Sequence, residues 1–291
     1  MRRALFLALA LLACACADTL PNENGTLVDK LRLLAIKAEP PEIAPGGKSL
    51  LTPLVLDPKG HGRALTYTWL ACDPALDDFN GTACSDATRL ADLAKLADDP
   101  SVHRLGTGTQ ATYWAPVNLF YSRDDDDPIR YFGVPAEILL VVSAGSFEEA
   151  AAGKVESQVA LVRVAVTDLP ANMQNANPRI VEAGDFGKPG HPVLEVEPSC
   201  DSAQTFIAVD PTSAKGYENS TEALTASWFT PRGALAIPDA AGGLPNPDCP
   251  KSEPSAFNGT VRLSIDTATD VAVVLRDNRG GLDFRVVHVT P

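Results

Sequence analysis

Along most of the chain, apolar and polar positions alternate in short runs, and proline or glycine separates one run from the next. Side chains of a β-strand point to opposite faces in turn, so a two-residue period predicts strands with one buried face. The first group begins at Leu31 and reads RLLAIKAEPPEIAP, SLLTPLVLDPKG and RALTYTWLAC. Within ALTYTW, Leu65, Tyr67 and Trp69 fall on one face and Thr66 and Thr68 on the other. Two later runs, AEILLVVSAG and QVALVRVAVTD, flank a polar insert from Ser146 to Ser157 and predict a hairpin. Short strands punctuated by turn residues predict an all-β, antiparallel sandwich.

The pattern then starts again. NPRIVEAG, HPVLEVEP and QTFIAVDP precede ALTASW, which begins 159 residues after ALTYTW, and each copy follows an Asp-Pro pair, Asp57-Pro58 or Asp210-Pro211. Leu224, Ala226 and Trp228 share a face of the second copy. DVAVVLRDNRGGLDFRVVHV predicts a hairpin turning at Asn278 to Gly281. Two sandwiches in tandem are therefore expected, at 31–170 and 177–291, joined through the turn-rich DLPANMQNANP at 168–178. Trp69 and Trp228 are the expected core anchors, each taking about 200 Å² out of water, worth several kcal/mol. An insertion at 73–108 interrupts the first sandwich. Its SDATRLADLAKLADD stretch puts Leu90, Leu93 and Leu96 at three-residue spacing after a possible cap at Ser85 or Asp86, which predicts one short helix.

Both halves resemble immunoglobulin-like sandwiches of the PKD or cadherin-like type found in bacterial envelope proteins. The resemblance rests on PPEIAPGG leading into the second strand, a Trp-bearing third strand and a terminal V-x-D-x-x-G-G hairpin. These motifs encode a fold and no chemistry. Together with the N-terminus described next, the pattern also resembles uncharacterised lipoproteins of myxobacterial type.

MRRALFLALALLACACAD joins two arginines to an apolar run that is too short to span a bilayer, so residues 1–17 read as an export signal. Leu11-Leu12-Ala13-Cys14 resembles the bacterial lipobox. That resemblance implies cleavage before Cys14, acylation of Cys14 and attachment of the protein to a membrane. Several acyl chains on one residue make a stable anchor. Ala15 after the cysteine fits the family's outer-membrane sorting rule. Cys16 is a poorer lipobox, and Ala15-Cys16-Ala17 leaves open an ordinary secretory cleavage that would release a chain starting at Asp18. Residues 18–30 have turn composition and read as a flexible tether.

A net charge of -13 without clustered Lys and Arg excludes nucleic acid as a partner. Export implies an oxidising compartment, in which Cys72, Cys84, Cys200 and Cys249 would pair. Four cysteines allow three connectivities, and separate cores favour Cys72 with Cys84 and Cys200 with Cys249; free buried thiols are the alternative. The dense run Asp124, Asp125, Asp126 and Asp127 is a weak calcium candidate, because adjacent aspartates alternate in direction and EF-hand spacing is missing. His61, His103, His191 and His288 are scattered, and no nucleophile or phosphate-loop motif is present, so no catalytic residue, metal site or cofactor is assigned. Three of the four N-x-[ST] sequons, those at Asn24, Asn80 and Asn258, read Asn-Gly-Thr and are explained by turns; the fourth is Asn219. Asp57 and Asp277 read as turn formers. The resulting expectation is a monomeric, lipid-anchored envelope protein without catalysis, adhesive or scaffolding in role, with a protein or polysaccharide partner in the envelope. A carbohydrate- or calcium-binding module and an accessory subunit of an envelope enzyme or transport complex are the alternatives.

Overall fold

The computed structural model describes residues 26–72, 84, 90, 92–121, 133–209, 217–235, 239–241 and 259–291. The first half contributes β1 (Arg32–Glu39), β2 (Glu42–Ile43), β3 (Lys48–Leu56), β4 (Thr66–Cys72), β5 (Val102–Gly106), β6 (Ala111–Trp114), β7 (Val134–Ser143) and β8 (Ser157–Val166). The second contributes β9 (Ile180–Asp185), β10 (Val193–Pro198), β11 (Thr205–Val209), β12 (Tyr217–Thr221), β13 (Thr225–Phe229), β14 (Ala234–Leu235), β15 (Asp239–Ala241), β16 (Val261–Ser264), β17 (Thr269–Arg276) and β18 (Leu282–Val289).

In the first half the sheet β1-β3-β6 faces the sheet β2-β8-β7-β4-β5. Inward residues of both sheets, among them Ile36, Leu51, Trp69, Tyr113, Ile138, Leu140 and Val164, form one core. The chain changes sheets between β1 and β2, so β2 joins β8 in parallel while the other strand pairs are antiparallel. In the second half β14-β16-β10-β9 faces β15-β13-β17-β18 around Ile180, Leu194, Trp228, Leu263, Val273 and Leu275. β11 and β12 form a separate hairpin. This is an all-β protein of two immunoglobulin-like sandwiches in tandem.

The near repeat marks one strand built twice. β4 lies between β5 and β7, and β13 lies between β15 and β17. Trp69 stands opposite Leu140 and Trp228 opposite Val273. Each indole is fully buried and donates its N–H to a glycine carbonyl just ahead of the corresponding strand of the facing sheet. Trp69 Nε1 donates to Gly108 O at 2.9 Å, before β6, and Trp228 Nε1 to Gly259 O at 3.3 Å, before β16. A buried Trp needs such an acceptor, since an unpaired N–H in a core is costly.

The described part of the insertion holds more than the one helix that the pattern predicted. The described helix runs Leu93–Ala97, and its cap is Asp92, which accepts from Lys95 N at 3.2 Å; Ser85 and Asp86 lie outside the described residues. β5 falls inside the span read as insertion, where it forms an edge strand paired with β4. The polar insert between β7 and β8 also holds a short helix, Phe147–Ala151, opened by a capping box in which Ser146 and Glu149 serve each other's backbone amides. These elements cover the outer face of the larger sheet. Leu70, Cys72, Leu139 and Val141 on the strands pack with Cys84, Leu93, Leu96 and Ala150 in a second core. The Cys72–Cys84 disulfide, with Cα atoms 5.7 Å apart, fastens this cover to β4.

Candidate functional site: the junction between the sandwiches

β17 reads TDVAVVLR, an apolar run without the alternation expected of a strand with one wet face. Val271, Val273 and Leu275 point into the second core. Ala272 and Val274 point outward, and with Leu282, Phe229 and Phe284 they meet Ala35, Leu54, Leu34 and Leu56 of the first half. The outer face of one sandwich thus packs on the outer face of the other, and both are dry. A polar border surrounds this contact. Lys37 bridges Glu39 at 3.0 Å and Asp283 at 3.1 Å across the junction. Arg276 donates to Leu34 O, and Asn177 ties the halves by donating to Ala38 O at 2.6 Å and accepting from Leu282 N at 2.8 Å. The segment at 168–178 is therefore anchored at the junction through Asn175 and Asn177.

The hairpin tip after β17 builds a buried charged cluster. Asp277 accepts from Arg279 N and Gly281 N, both at 2.8 Å, as its reading as a turn former required. A side chain at position 281 would collide with that carboxylate, at 2.2 Å from Oδ2, so the tip takes glycine there. The turn aims Arg279 across the junction. Its guanidinium donates to Glu42 Oε2 of β2 at 3.0 Å and to Glu222 Oε1 at 3.1 Å, and lies 5.0 Å from the Phe206 ring centroid on β11. Asn175 N also donates to Glu42 Oε2, at 2.7 Å, while its buried Oδ1 has no partner among the described residues.

Two carboxylates, Glu42 and Glu222, share this one cation, and Asp277 lies close enough to act on Glu222. Burial raises all three: desolvation is the largest cause for Glu42, Asp277 and Glu222, and it pushes Glu222 up to about 7 against the pull of Arg279. A fully ionised group would carry two excess negative charges out of water, which is costly. The arrangement is therefore a protonation-sensitive clamp between the two halves. Beside it lies a crevice of about 650 Å³ bounded by β1, the edge of β8 and the hairpin tip, with Leu33, Leu161, Arg163 and Gly280 among its walls.

The residues singled out in the sequence sit elsewhere. Trp69 and Trp228 are in the two cores. Cys72 and Cys84 are joined; Cys200 is disulfide-bonded, and Cys249 lies outside the described residues. Cys14 and Asp124 to Asp127 also lie outside them. His288 meets Asp270 at 2.7 Å on an exposed strand end, and His61 occupies a turn with φ 49°. Among the described residues no group of three His, Cys, Asp or Glu side chains is arranged to hold a metal ion. Sequence reasoning missed Glu42, Glu222 and Arg279, whose settings PPEI, STEAL and DNRGG look like solvated turns. The unbroken apolar run of β17 was the available sign that something covers its outer face.

No family profile matches the chain, and no curated protein sequence does. Among solved structures it is similar to the tandem Ig repeats of Dlar, at 8% identity and a TM-score of 0.24, covering 90% of this chain and 98% of that one. It is similar to the dimeric latent PorU of Porphyromonas gingivalis at 12% identity and 0.22, covering 90% of this chain and 24% of that one. Drosophila OTK extracellular domains 3–5 give 9% and 0.19, covering 91% and 98%. Likeness at this level carries no argument about function. The assignment of the fold rests on strand order and on the paired tryptophans.

Proposed function

We propose that the protein is an exported, lipid-anchored scaffold of a bacterial cell envelope, in which two domains, 31–170 and 177–291, act as one stiff body without catalysis. The observation that carries this reading is the dry junction: apolar outer faces from both halves pack together, and Arg279 clamps Glu42 to Glu222. Domains free to move are joined through small, polar contacts, whereas an apolar interface fixes their relative orientation. The Cys72–Cys84 bridge supports an oxidising compartment, and the lipobox-like LLAC at Leu11 to Cys14 supports the anchor and an outer-membrane address.

Mass spectrometry of the mature protein from envelope membranes tests the anchor. An acylated Cys14 at the N-terminus is expected, and Cys14→Ala should move the protein to the soluble fraction. An unmodified terminus at Asp18 overturns it. Cross-linking in the envelope followed by mass spectrometry tests the scaffold: reproducible partner proteins are expected, and a turnover activity of the purified chain would overturn the non-catalytic reading.

A further inference from the structure

β8 is an edge strand for most of its length. β7 pairs with it from Ser157 to Val166, but on its other side β2 reaches only Ala165 and Val166. Glu156 O accepts from Ala144 N on the β7 side, and Ala165 N donates to Pro41 O on the other. By the two-residue period, the N–H and C=O groups of Val159, Leu161 and Arg163 point away from β7, and among the described residues no backbone group pairs with them. An open edge is a template for a further strand, and proteins normally guard it with proline, lysine, a bulge or inward-pointing charge. β18, the last strand of the second half, is guarded. Its Asp283 and Arg285 face inward opposite Leu275 and Val273, where Asp283 accepts from Ile180 N and Arg285 donates to Ile180 O. β8 instead has Ala160 and Val162 inward, pairs with β7 without a bulge, and leaves Val159 42% and Leu161 37% exposed on the outer face.

We propose that the β8 edge accepts one extended strand of a partner protein, uncharged and apolar at alternate positions. Unpaired backbone groups at an edge recognise extended backbone, and pockets beside the edge select alternate side chains. The crevice of about 650 Å³ is such a pocket, lined by Leu33 and Ile36 of β1 and by Ala160 and Val162 of β8. It is continuous with the dry junction, since Ala35 and Leu282 belong to both. The charged side chains on its walls are already engaged: Arg163 by Glu137, Arg276 by Leu34 O, Asp277 by the amides of its own turn, and Arg279 by Glu42 and Glu222. A charge on the incoming strand would find no counterpart there, which selects uncharged residues. Walls formed by β1 and by the hairpin tip at Gly280 suit a single strand. A second copy pairing through its own β8 would bring its own β1 and hairpin tip to the same edge. The inference deepens the scaffold reading by naming how a partner is held, and it is independent of the lipid anchor. Because the test uses the purified protein and a defined peptide, its failure leaves the cross-linking test of the scaffold standing.

The probe is the capped peptide TVTITVT with a GKK tail for solubility, beside a copy N-methylated at every residue, and the readout is amide exchange by NMR. In the free protein Val159, Leu161 and Arg163 should exchange fast and Ala160 and Val162 slowly. Peptide at about 1 mM should slow the first set at least about tenfold, and the methylated copy should leave it unchanged. Leu161→Pro removes a donor that faces away from β7, so it should hold Tm nearly constant while weakening the peptide at least about tenfold. Val159→Lys keeps every amide and should weaken the peptide through an added guard charge, which carries the test if the proline variant fails to fold. The proposal is overturned by exchange that the peptide does not slow, by equal binding of the methylated copy, or by affinity that both variants leave unchanged. Slow exchange of Val159, Leu161 and Arg163 in the free protein also overturns it, as does a dimer in sedimentation that Val159→Lys abolishes, because the edge would then belong to a second copy.

Discussion

β7 and β17 are the same strand in two copies: each has the tryptophan strand on one side and the last strand of its sandwich on the other. Both are apolar on both faces, and they differ in what covers the outer one. β7 is covered by its own half, through the Leu93–Ala97 and Phe147–Ala151 helices and the Cys72–Cys84 bridge. β17 is covered by β1 and β3 of the other half. A strand greasy on both faces must find a lid, and this chain finds one locally and one across the junction. The larger sheet of the first sandwich is thereby closed by its own half, while the junction faces, Ala35 and Leu54 on one side and Ala272 and Val274 on the other, stay wet unless both halves are folded. The opposite sheet of the second sandwich ends the stacking, since Glu197 on β10 and Arg262 on β16 stand exposed where Ala35 and Leu54 are buried in the first.

This asymmetry can be broken in a graded way. Trp69→Ala or Trp228→Ala empties a core and should cost about 3–5 kcal/mol in urea unfolding. Trp69→Ala should drag the second half down with it, while Trp228→Ala should leave a protease-resistant first half; equal behaviour of the two would remove the asymmetry. Arg279→Met leaves Glu42 and Glu222 facing each other without a cation and should cost about 3 kcal/mol or more. Adding Glu222→Gln should recover part of that loss in a double-mutant cycle, and strict additivity would show that the clamp is not a unit. On the outer faces, Leu139→Ala should cost about 2–4 kcal/mol and Val274→Ala about half as much. Small-angle scattering should show a change in domain arrangement for the second variant alone.

The smallest effect is a dependence on pH. The Glu222 carboxyl, at about 7 when folded against an ordinary 4.5, keeps its proton better in the folded chain than in the unfolded one. Stability is therefore greatest below about pH 4.5 and declines as pH rises towards 7; Glu42 and Asp277, raised in the same sense, add to the decline. With Arg279 offsetting part of the burial, a fall in Tm of about 2–4 °C across that window is expected. Glu222→Gln should flatten it, and a slope unchanged in that variant would place the titration elsewhere.

Most of the architecture was legible because strands announce themselves by period. ALTYTW and ALTASW marked equivalent strands, DNRGG marked the last hairpin, and the Cys72 and Cys84 spacing marked a pair that the fold brings together. The helix at Phe147–Ala151 carried its signature, Ser146-x-x-Glu149, in a stretch read only as polar. The clamp was not legible, since Glu42, Glu222 and Arg279 are far apart in sequence and each sits beside a turn, where charge normally faces water. Their burial arises from docking two finished surfaces, which no local pattern encodes.

The residues just ahead of β1 are fastened to the second half of the molecule. Val28 N donates to Thr230 O and Thr230 N donates to Thr26 O, each at 2.8 Å, with Leu27 and Thr230 side by side in a parallel bridge. A pull applied to the chain ahead of Thr26 consequently enters the protein at the end of β13, and the second sandwich takes the load before β1 does. Pulled from that end, the molecule would yield first where Thr26 to Val28 peel from Thr230, exposing the edge of the junction while both cores are still intact.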